Sequence, residues 1–284
     1  MNRTLSSTVT RREFLDSVGA VGVALGLAAA PLARAASSKK IPVGLQLYSV
    51  REQCKNDLPG TVAAVAKIGY RGVEFAGYHG RSAKELRALL DDNGLVACGT
   101  HTPYESVLDD KLKETVEFNR TIGNKFLIVP WMNETQSKQV WLDRAKLFNE
   151  IADQVKPDGM WVGYHAHQHD FKQIDGVSAW DTFFGNTKAE VIMQLDTSNC
   201  CEGGADPVAV LKKYPGRARS IHLKAHGGGP DAVIGEDKID WTEVFAFCEG
   251  KGKTQWYVLE HESGKDPLDA VKRSYEALKK LDKV

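Results

Sequence analysis

The 284-residue sequence predicts an α/β fold, a single (β/α)8 TIM barrel. Short apolar runs alternate with segments of helical spacing from residue 41 to the end of the chain. There are eight such runs, and eight strand–helix units in roughly 250 residues are typical of this barrel. No linker or repeat is visible in the sequence of residues 41–284, so we expect one domain there.

The apolar runs are each about the length of a buried strand. In chain order they cover residues 42–48, 72–75, 95–100, 125–129, 160–165, 191–196, 219–223 and 255–260. An open, doubly wound sheet is the alternative arrangement. The barrel is favoured because the first run is followed by YSVREQCKND, where a doubly wound sheet would carry a glycine-rich phosphate loop.

Helix signals separate the strands. LPGTVAAVAKIG has Pro59 near its start and Gly69 at its end, and SAKELRALLDDNG has Ser82 as a cap and Gly94 as a stop. DPLDAVKRSYEALKKL forms the last predicted helix. Each predicted strand is therefore followed by a segment that can return the chain to the start of the next strand.

Residues 1–35 predict a twin-arginine export signal. Arg11 and Arg12 precede the apolar run VGAVGVALGLAAAPLA, which ends at the small-residue cleavage site Ala33-Arg34-Ala35. An uncleaved membrane anchor is less favoured, because the run is short for a span of ~20 residues and rich in glycine and alanine. We expect a periplasmic protein without stable membrane insertion after cleavage.

The charge balance favours a small-molecule ligand. The full chain is formally neutral, and removal of residues 1–35 leaves a charge of −2. Nucleic acid is not expected as a partner, because its phosphate backbone calls for a basic surface. The five cysteines are odd in number and irregularly spaced, which predicts free thiols; a minor role for Cys200 and Cys201 near the site is left open, as is a homo-oligomer.

Side chains that can bind a metal or move a proton follow most of the predicted strands. The carboxyl ends of the strands and the loops after them build the active site of such a barrel. The candidates are Glu74, His101, His165, His167, Asp196, His222, Lys224, Glu260 and Glu262. Single members have structural explanations: Glu74 can pair with an arginine, and Asp196 can cap the next turn through Asn199. Their coincidence at one rim favours a metal site.

The donor types restrict the metal. Two carboxylates and two imidazoles, one from strand five and one from strand seven, suit Mn²⁺, Mg²⁺, Co²⁺, Fe²⁺ or Zn²⁺ and disfavour a thiolate-bound structural zinc. Affinity order alone would favour zinc over manganese. Export of an already folded protein would let the cytoplasm select the metal, and we expect one divalent ion, with manganese first among these.

Several motifs carry a family resemblance. They are LDTSN around Asp196, SIHLKAH around His222, IGEDKIDW at 234–241 and YVLEHE around Glu260, with VGLQLYSVRE and GYRGVEFAGYHG near the front. In order and placement they resemble the sugar phosphate isomerase/epimerase group of xylose isomerase-like TIM barrels, which includes ketose 3-epimerases, inosose dehydratase and endonuclease IV. The resemblance covers residues 41–284; the charge and the export signal oppose the endonuclease role.

The resemblance implies a ligand set. In the family, Glu, Asp, His and Glu from strands five to eight hold one divalent ion. By position, the ligands here are His165, Asp196, His222 and Glu260. His165 departs from the pattern, because GYHAH places it where the family has the glutamate that trades the substrate proton with the strand-eight glutamate. A metal-bound imidazole is a poor base for that step, so simple two-carboxylate epimerisation is not expected.

The remaining candidates receive roles around that ion. Proton transfer or oxyanion stabilisation is expected from four residues: His101, His167, Lys224 and Glu260. Substrate contacts are expected from three: Glu74, His167 and Glu262. His169 is as well explained by a solvated loop position as by a role in the site. Trp131, Trp180 and Trp241 could stack on a sugar ring, but we expect interior packing for each.

Three functions follow as hypotheses. The first is a metal-dependent isomerase or epimerase that acts on a non-phosphorylated keto sugar or polyol through a metal-stabilised enediolate. An exported protein meets free sugars and glycosides, and the sequence shows no phosphate-binding glycine loop or arginine cluster near the site. The second is a 3-keto-glycoside lyase that works by β-elimination. The third is a non-catalytic sugar-binding protein, which the metal-ligand pattern opposes.

Overall fold

The computed structural model describes residues 40–262 and 264–284, so the predicted export signal lies outside the described residues. Ten strands occur in this part of the chain: β1 (Val43–Gln46), β2 (Gly72–Ala76), β3 (Val96–His101), β4 (Phe126–Val129), β5 (Trp161–His165), β6 (Gln173–Ile174), β7 (Val177–Ser178), β8 (Ile192–Gln194), β9 (Ser220–Leu223) and β10 (Trp256–Leu259). The short strands β6 and β7 form a separate antiparallel pair.

Eight of these strands form the predicted parallel barrel. Their order is β8-β5-β4-β3-β2-β1-β10-β9, and all pairs along it are parallel. The two end strands meet through a parallel bridge between Asp196 and His222, where the His222 N–H donates to the Leu195 carbonyl at 2.9 Å. The seam of the barrel therefore runs between two of the predicted metal ligands.

The helices described are α1 (Arg51–Ile68), α2 (Ala83–Asp92), α3 (Asp109–Ile122), α4 (Lys138–Val155), α5 (Ala179–Phe184), α6 (Thr197–Glu202), α7 (Pro207–Lys213), α8 (Trp241–Gly250) and α9 (Pro267–Lys280). Ser82 caps α2 in a reciprocal arrangement with Glu85, and Gly69 ends α1 at φ 124°. Among the residues described, no helix is both long enough and apolar enough to cross a membrane.

Two layers fill the barrel interior. At the amino ends of the strands, Phe126, Ile128 and Ile192 pack together against Trp161 and Trp256. Because side chains alternate along a strand, the interior positions above this apolar layer are polar. Ile192 points into the barrel, and by the same alternation Gln194 and then Asp196 point inward as well. The apolar layer thus supports a polar one at the carboxyl ends.

The eight predicted strands are confirmed, with small differences at their ends. The first run stops at Gln46 because residues Leu47–Val50 turn into a 3-10 helix. The sixth stops at Gln194 because Asp196 caps α6. Trp180 and Trp241 are buried as expected, whereas Trp131 is 47% exposed. All five cysteines are free, and only Cys201 among them is partly exposed.

A threonine hydroxyl extends the seam beyond the last backbone pair. Thr197 Oγ1 donates to the Lys224 carbonyl at 2.7 Å and accepts from the Lys224 N–H at 3.0 Å, and the side chain has no exposed surface. The hydroxyl thus takes the place of a peptide group in the ladder and fixes the backbone of Lys224 at the rim.

We predict that Thr197→Val lowers the free energy of unfolding by about 1–3 kcal/mol, because the substitution leaves two partly buried backbone groups of Lys224 without their hydroxyl partner. Urea denaturation measures the change. Thr121→Val is the matched control, since the Thr121 hydroxyl bonds the Glu117 carbonyl on the exposed face of α3 and should cost about 0.5 kcal/mol or less. Equal losses in the two variants would contradict a special role for the seam.

Candidate metal centre and active site

Four side chains converge at the carboxyl end of the barrel. His165 ends β5, Asp196 follows β8, His222 lies in β9 and Glu260 follows β10. One possible ligand atom from each lies within 4.8 Å of all the others, and all four side chains are buried. These are the four ligands that the family resemblance implied.

Asp196 shows that the site suits a cation. Its Oδ1 accepts a hydrogen bond from the Asn199 N–H at 2.7 Å and so caps α6. The expectation that Asp196 can cap this turn through Asn199 is therefore confirmed. Its Oδ2 is buried and has no hydrogen-bond partner among the described residues. A buried carboxylate oxygen without a partner is costly. Two imidazoles and two carboxylates around it form a donor set that fits a divalent ion.

His222 lies between two carboxylates. Its Nδ1 is 2.5 Å from Glu260 Oε2, and its Nε2 is 2.6 Å from Glu74 Oε2. Burial alone would lower the pKa of His222, but Glu74 and Glu260 outweigh it and raise the pKa to about 10. A ligating histidine commonly uses its second nitrogen to bind a carboxylate, and Glu74 is placed for that role.

His165 and His101 share one amide acceptor. His165 Nδ1 is 3.0 Å and His101 Nε2 3.1 Å from Gln194 Oε1. Burial, together with His222, His101 and other imidazoles nearby, holds the pKa of His165 well below its usual range, so its ring is neutral. A neutral imidazole is the form that binds metal, so His165 is ready to bind an ion, whereas His222 would release a proton on binding one. His101 also stacks on His222, with ring centroids 5.3 Å apart.

Glu74 is placed differently from its predicted role. It has no exposed surface, so the expectation of a substrate contact is wrong. Its carboxylate accepts hydrogen bonds from Gln46 Nε2 at 2.7 Å and Gln194 Nε2 at 2.8 Å, in addition to its contact with His222. Burial raises its pKa, but His101 and His222 outweigh burial and hold the pKa well below the usual range. Glu74 therefore pairs with His101 and His222 from the interior side of the cluster and orients their rings.

Gln46 and Gln194 were missed by the sequence reasoning. Both are fully buried inside the barrel and connect Glu74 to its surroundings. A signal was present: each is a lone amide inside an apolar strand, in GLQLY and IMQLD. A buried amide must find hydrogen-bond partners, so its position next to a candidate site indicates a supporting role.

The rim above the centre carries one cation between acidic groups. Lys224 Nζ lies 3.5 Å from Glu260 Oε1 and 3.2 Å from Glu262 Oε1. Burial lowers the pKa of Lys224, but Asp196, Glu260 and Glu262 outweigh it, so the ammonium stays charged. A hydrogen bond with Glu260, with burial second, raises the pKa of Glu262 to about 7.

The three alternating histidines of the sequence do not stay on one strand. His165 ends β5, and a 3-10 turn at Gln168–Phe171 then reverses the chain. His169 is buried beside Trp131, with ring centroids 4.5 Å apart, so a solvated loop position for this side chain is wrong. His167 and Trp131 form a T-shaped pair, with ring centroids 4.7 Å apart. Trp131 is thereby held at the rim rather than in the interior.

Two pockets open above the centre, the aromatic lobe and the polar lobe, and they adjoin because two residues line both. The aromatic lobe, about 450 Å³, is lined by Tyr48, Pro103, Trp131, His101, His165 and Glu260 among others. The polar lobe, about 650 Å³, is lined by Ser198, Glu202, Lys224, His226 and His261 among others. His167 and Glu262 line both lobes. Each lobe lies within the roughly 300–1,000 Å³ typical of small-molecule sites.

We predict that Gln194→Leu destabilises the protein by about 3 kcal/mol, because it leaves the buried His165 Nδ1 and Glu74 Oε1 without their amide partner. It should also weaken divalent-metal binding by about tenfold to a hundredfold, since the histidine loses its orienting bond. Denaturation and metal titration measure the two effects. Gln139→Leu, on the exposed face of α4, is the control and should change neither.

We predict that the purified protein binds one divalent ion per chain and that Asp196→Asn weakens this binding by at least about a hundredfold. Asparagine keeps the helix cap, so the variant should fold while losing the ligand charge. Asp206→Asn is the matched control, because Asp206 caps α7 through the Val208 N–H outside the cluster. Calorimetric metal titration checks both; unchanged binding in Asp196→Asn would remove Asp196 from the ligand set.

Known proteins resemble this chain along most of its length. Inosose dehydratase from Clostridium tetani is 23% identical over 263 residues, which cover 78% of this chain and 87% of that protein. A solved sugar phosphate isomerase/epimerase from Parabacteroides distasonis has a TM-score of 0.75 at 23% identity and covers 85% of this chain and 98% of its own. A probable 3-DHS dehydratase from Bacillus anthracis has a TM-score of 0.65 at 15% identity, over 85% and 98% of the two chains.

These solved structures, at such low identity, establish the fold alone. The family assignment comes from the sequence model of the xylose isomerase-like TIM barrels, which matches residues 62–281. That span covers most of the barrel and includes all four members of the buried cluster. The chain therefore belongs to the xylose isomerase-like TIM barrel family.

Proposed function

We propose that this protein is a divalent-metal-dependent lyase that acts on a non-phosphorylated keto sugar or keto polyol by β-elimination. The observation that carries the proposal is His165, which lies in the buried cluster of candidate ligands, at the position where the family resemblance implies a glutamate. Elimination needs a proton taken from one carbon and a leaving group expelled from the next. It does not need two carboxylates on opposite faces of the substrate.

The placement of acidic groups in the aromatic lobe supports elimination. The only carboxylates that line it, among the described residues, are Glu260 and Glu262, and both follow β10. Because Glu260 and Glu262 follow the same strand, both would face a bound substrate from the same side. The inosose dehydratase relative also supports the proposal, because loss of water next to a carbonyl is itself a β-elimination.

The residues suggest a balanced reaction. A bound divalent ion would supply a Lewis acid that polarises the substrate carbonyl. The His167 imidazole, which lines both lobes, accepts the proton from the carbon beside the carbonyl. The C–H electron pair forms the new C=C bond, and the C–O bond at the next carbon breaks. The leaving oxygen takes its proton from His167, while Lys224 Nζ stabilises the negative charge that develops on that oxygen.

The substrate class follows from the same surfaces. No arginine lines either lobe in the part of the chain that is described, so a phosphate group would find only Lys224, which is already paired with acids. Exposed Trp131 and Tyr48 offer flat surfaces for a sugar ring. Periplasmic location is part of the proposal and rests on the signal in residues 1–35.

An isomerase or epimerase is the second candidate. Glu260, which follows β10 at a position where the family resemblance implies a catalytic glutamate, lines the aromatic lobe. The removal of a proton beside a carbonyl is common to both reactions, so their products distinguish them. A non-catalytic sugar-binding protein would show neither product.

We predict that the metal-loaded protein releases the aglycone from 3-keto-glycosides and leaves an unsaturated keto sugar. The reaction is followed by NMR in D₂O, with free ketoses in the same panel. An inverted stereocentre with the glycosidic bond intact would instead identify an epimerase. Bound sugar without deuterium exchange at any carbon would identify a binding protein.

We predict that His167→Asn lowers kcat about 10²- to 10⁴-fold, the usual contribution of an acid–base group. His79→Asn is the control, since His79 is exposed after β2 and its φ of 51° suits asparagine. Metal content is measured in both variants, so that loss of the ion is not mistaken for loss of the base. A His167→Asn variant that holds metal and turns over at the normal rate would contradict the assigned role.

A further inference from the structure

The polar lobe is not required by a one-ring substrate. The candidate ligands His165 and Glu260 line the aromatic lobe, together with Trp131, so the reacting carbonyl belongs there. The polar lobe adds about 650 Å³ beyond His167 and Glu262, and none of the four clustered ligands lines it. This second volume is larger than the first and opens from the same catalytic rim.

The lining of the polar lobe suits a neutral, hydroxylated group. Ser198 Oγ donates to Glu202 Oε1 at 3.1 Å and lies 3.4 Å from His226 Nδ1, which forms a chain of donors and acceptors along the wall. The acidic side chains Glu202 and Glu262 outnumber Lys224 there, so an anionic group is disfavoured. The mixture of hydroxyl, imidazole and carboxylate matches the hydroxyl groups of a sugar.

We propose that the polar lobe is a second sugar subsite, which binds the leaving group of the substrate. The inference rests on the proposed function and specifies its substrate as a glycoside of two sugar rings. The keto ring binds in the aromatic lobe and the second ring in the polar lobe, so the glycosidic oxygen lies beside His167 and Lys224. Cleavage breaks the C–O bond on the keto-ring side, and the second ring leaves with its oxygen and the proton from His167.

Binding measured separately from turnover tests the subsite. The probes are a 3-keto disaccharide of two glucose units and methyl 3-keto-glucoside, which keeps the first ring and replaces the second with a methyl group. With the metal-loaded His167→Asn variant, in which slow turnover allows binding to be measured, we expect the disaccharide to bind at least about tenfold more tightly in calorimetry than methyl 3-keto-glucoside, the gain of one or two additional hydrogen bonds to charged groups.

Two variants alter the polar lobe without touching the clustered ligands. Glu202→Gln and His226→Ala, each combined with His167→Asn, should each weaken disaccharide binding by about fivefold to tenfold and change methyl 3-keto-glucoside binding less than about twofold. Glu117→Gln, on an exposed position of α3, is the matched control and should change neither. Thermal unfolding of each variant checks that the fold is retained.

The outcomes separate the subsite from the reaction. Equal affinity of the His167→Asn variant for the two probes would overturn the subsite, and so would polar-lobe variants that weaken the binding of both probes alike. Tighter binding of a phenyl 3-keto-glucoside than of the disaccharide would overturn it in favour of an apolar leaving group. Selective binding of the disaccharide without release of the second ring would support the subsite while the proposed lyase activity fails.

Discussion

The candidate metal centre depends on one fully buried carboxylate, that of Glu74. A buried charge is tolerated only when it is paired and hydrogen-bonded. Glu74 meets this condition through His222 Nε2 and the amides of Gln46 and Gln194. In return it fixes the ring of His222, so that Nδ1 faces Glu260 and Asp196. The ligands thus rest on a polar layer that is satisfied from within the barrel.

The centre also lies across the seam of the barrel. Asp196 and His222 form the bridge that joins the two end strands, and both belong to the buried cluster. Gln194, in β8, connects this seam to Glu74, His101 and His165. A cation held by this cluster would bind residues on both sides of the seam, so metal binding and barrel stability are expected to be linked.

The proposed elimination chemistry depends on an imidazole, that of His165, at a position where the family resemblance implies a carboxylate. Because residue 165 is a histidine, the acidic groups described in the aromatic lobe are Glu260 and Glu262, which both follow β10. This arrangement favours elimination over proton exchange between opposite faces of the substrate. The 3-10 turn after β5 then brings His167 to the boundary of the two lobes and packs His169 behind Trp131. One short segment therefore shapes the centre, the proton path and the aromatic wall.

The sequence by itself determined the barrel, the strand positions and the candidate residues at the strand ends, because strand periodicity is a local property and a parallel barrel brings its strand ends to one rim. The resemblance to the family then implied which four of these candidates cluster. The sequence did not determine that Glu74 lies below the centre, that Gln46 and Gln194 support it, or that Trp131 is exposed while His169 is buried. Those outcomes depend on which side chains meet across the closed barrel and on where the chain turns after β5. Only the tertiary structure sets both, because the contacts join residues as far apart as Glu74 and His222.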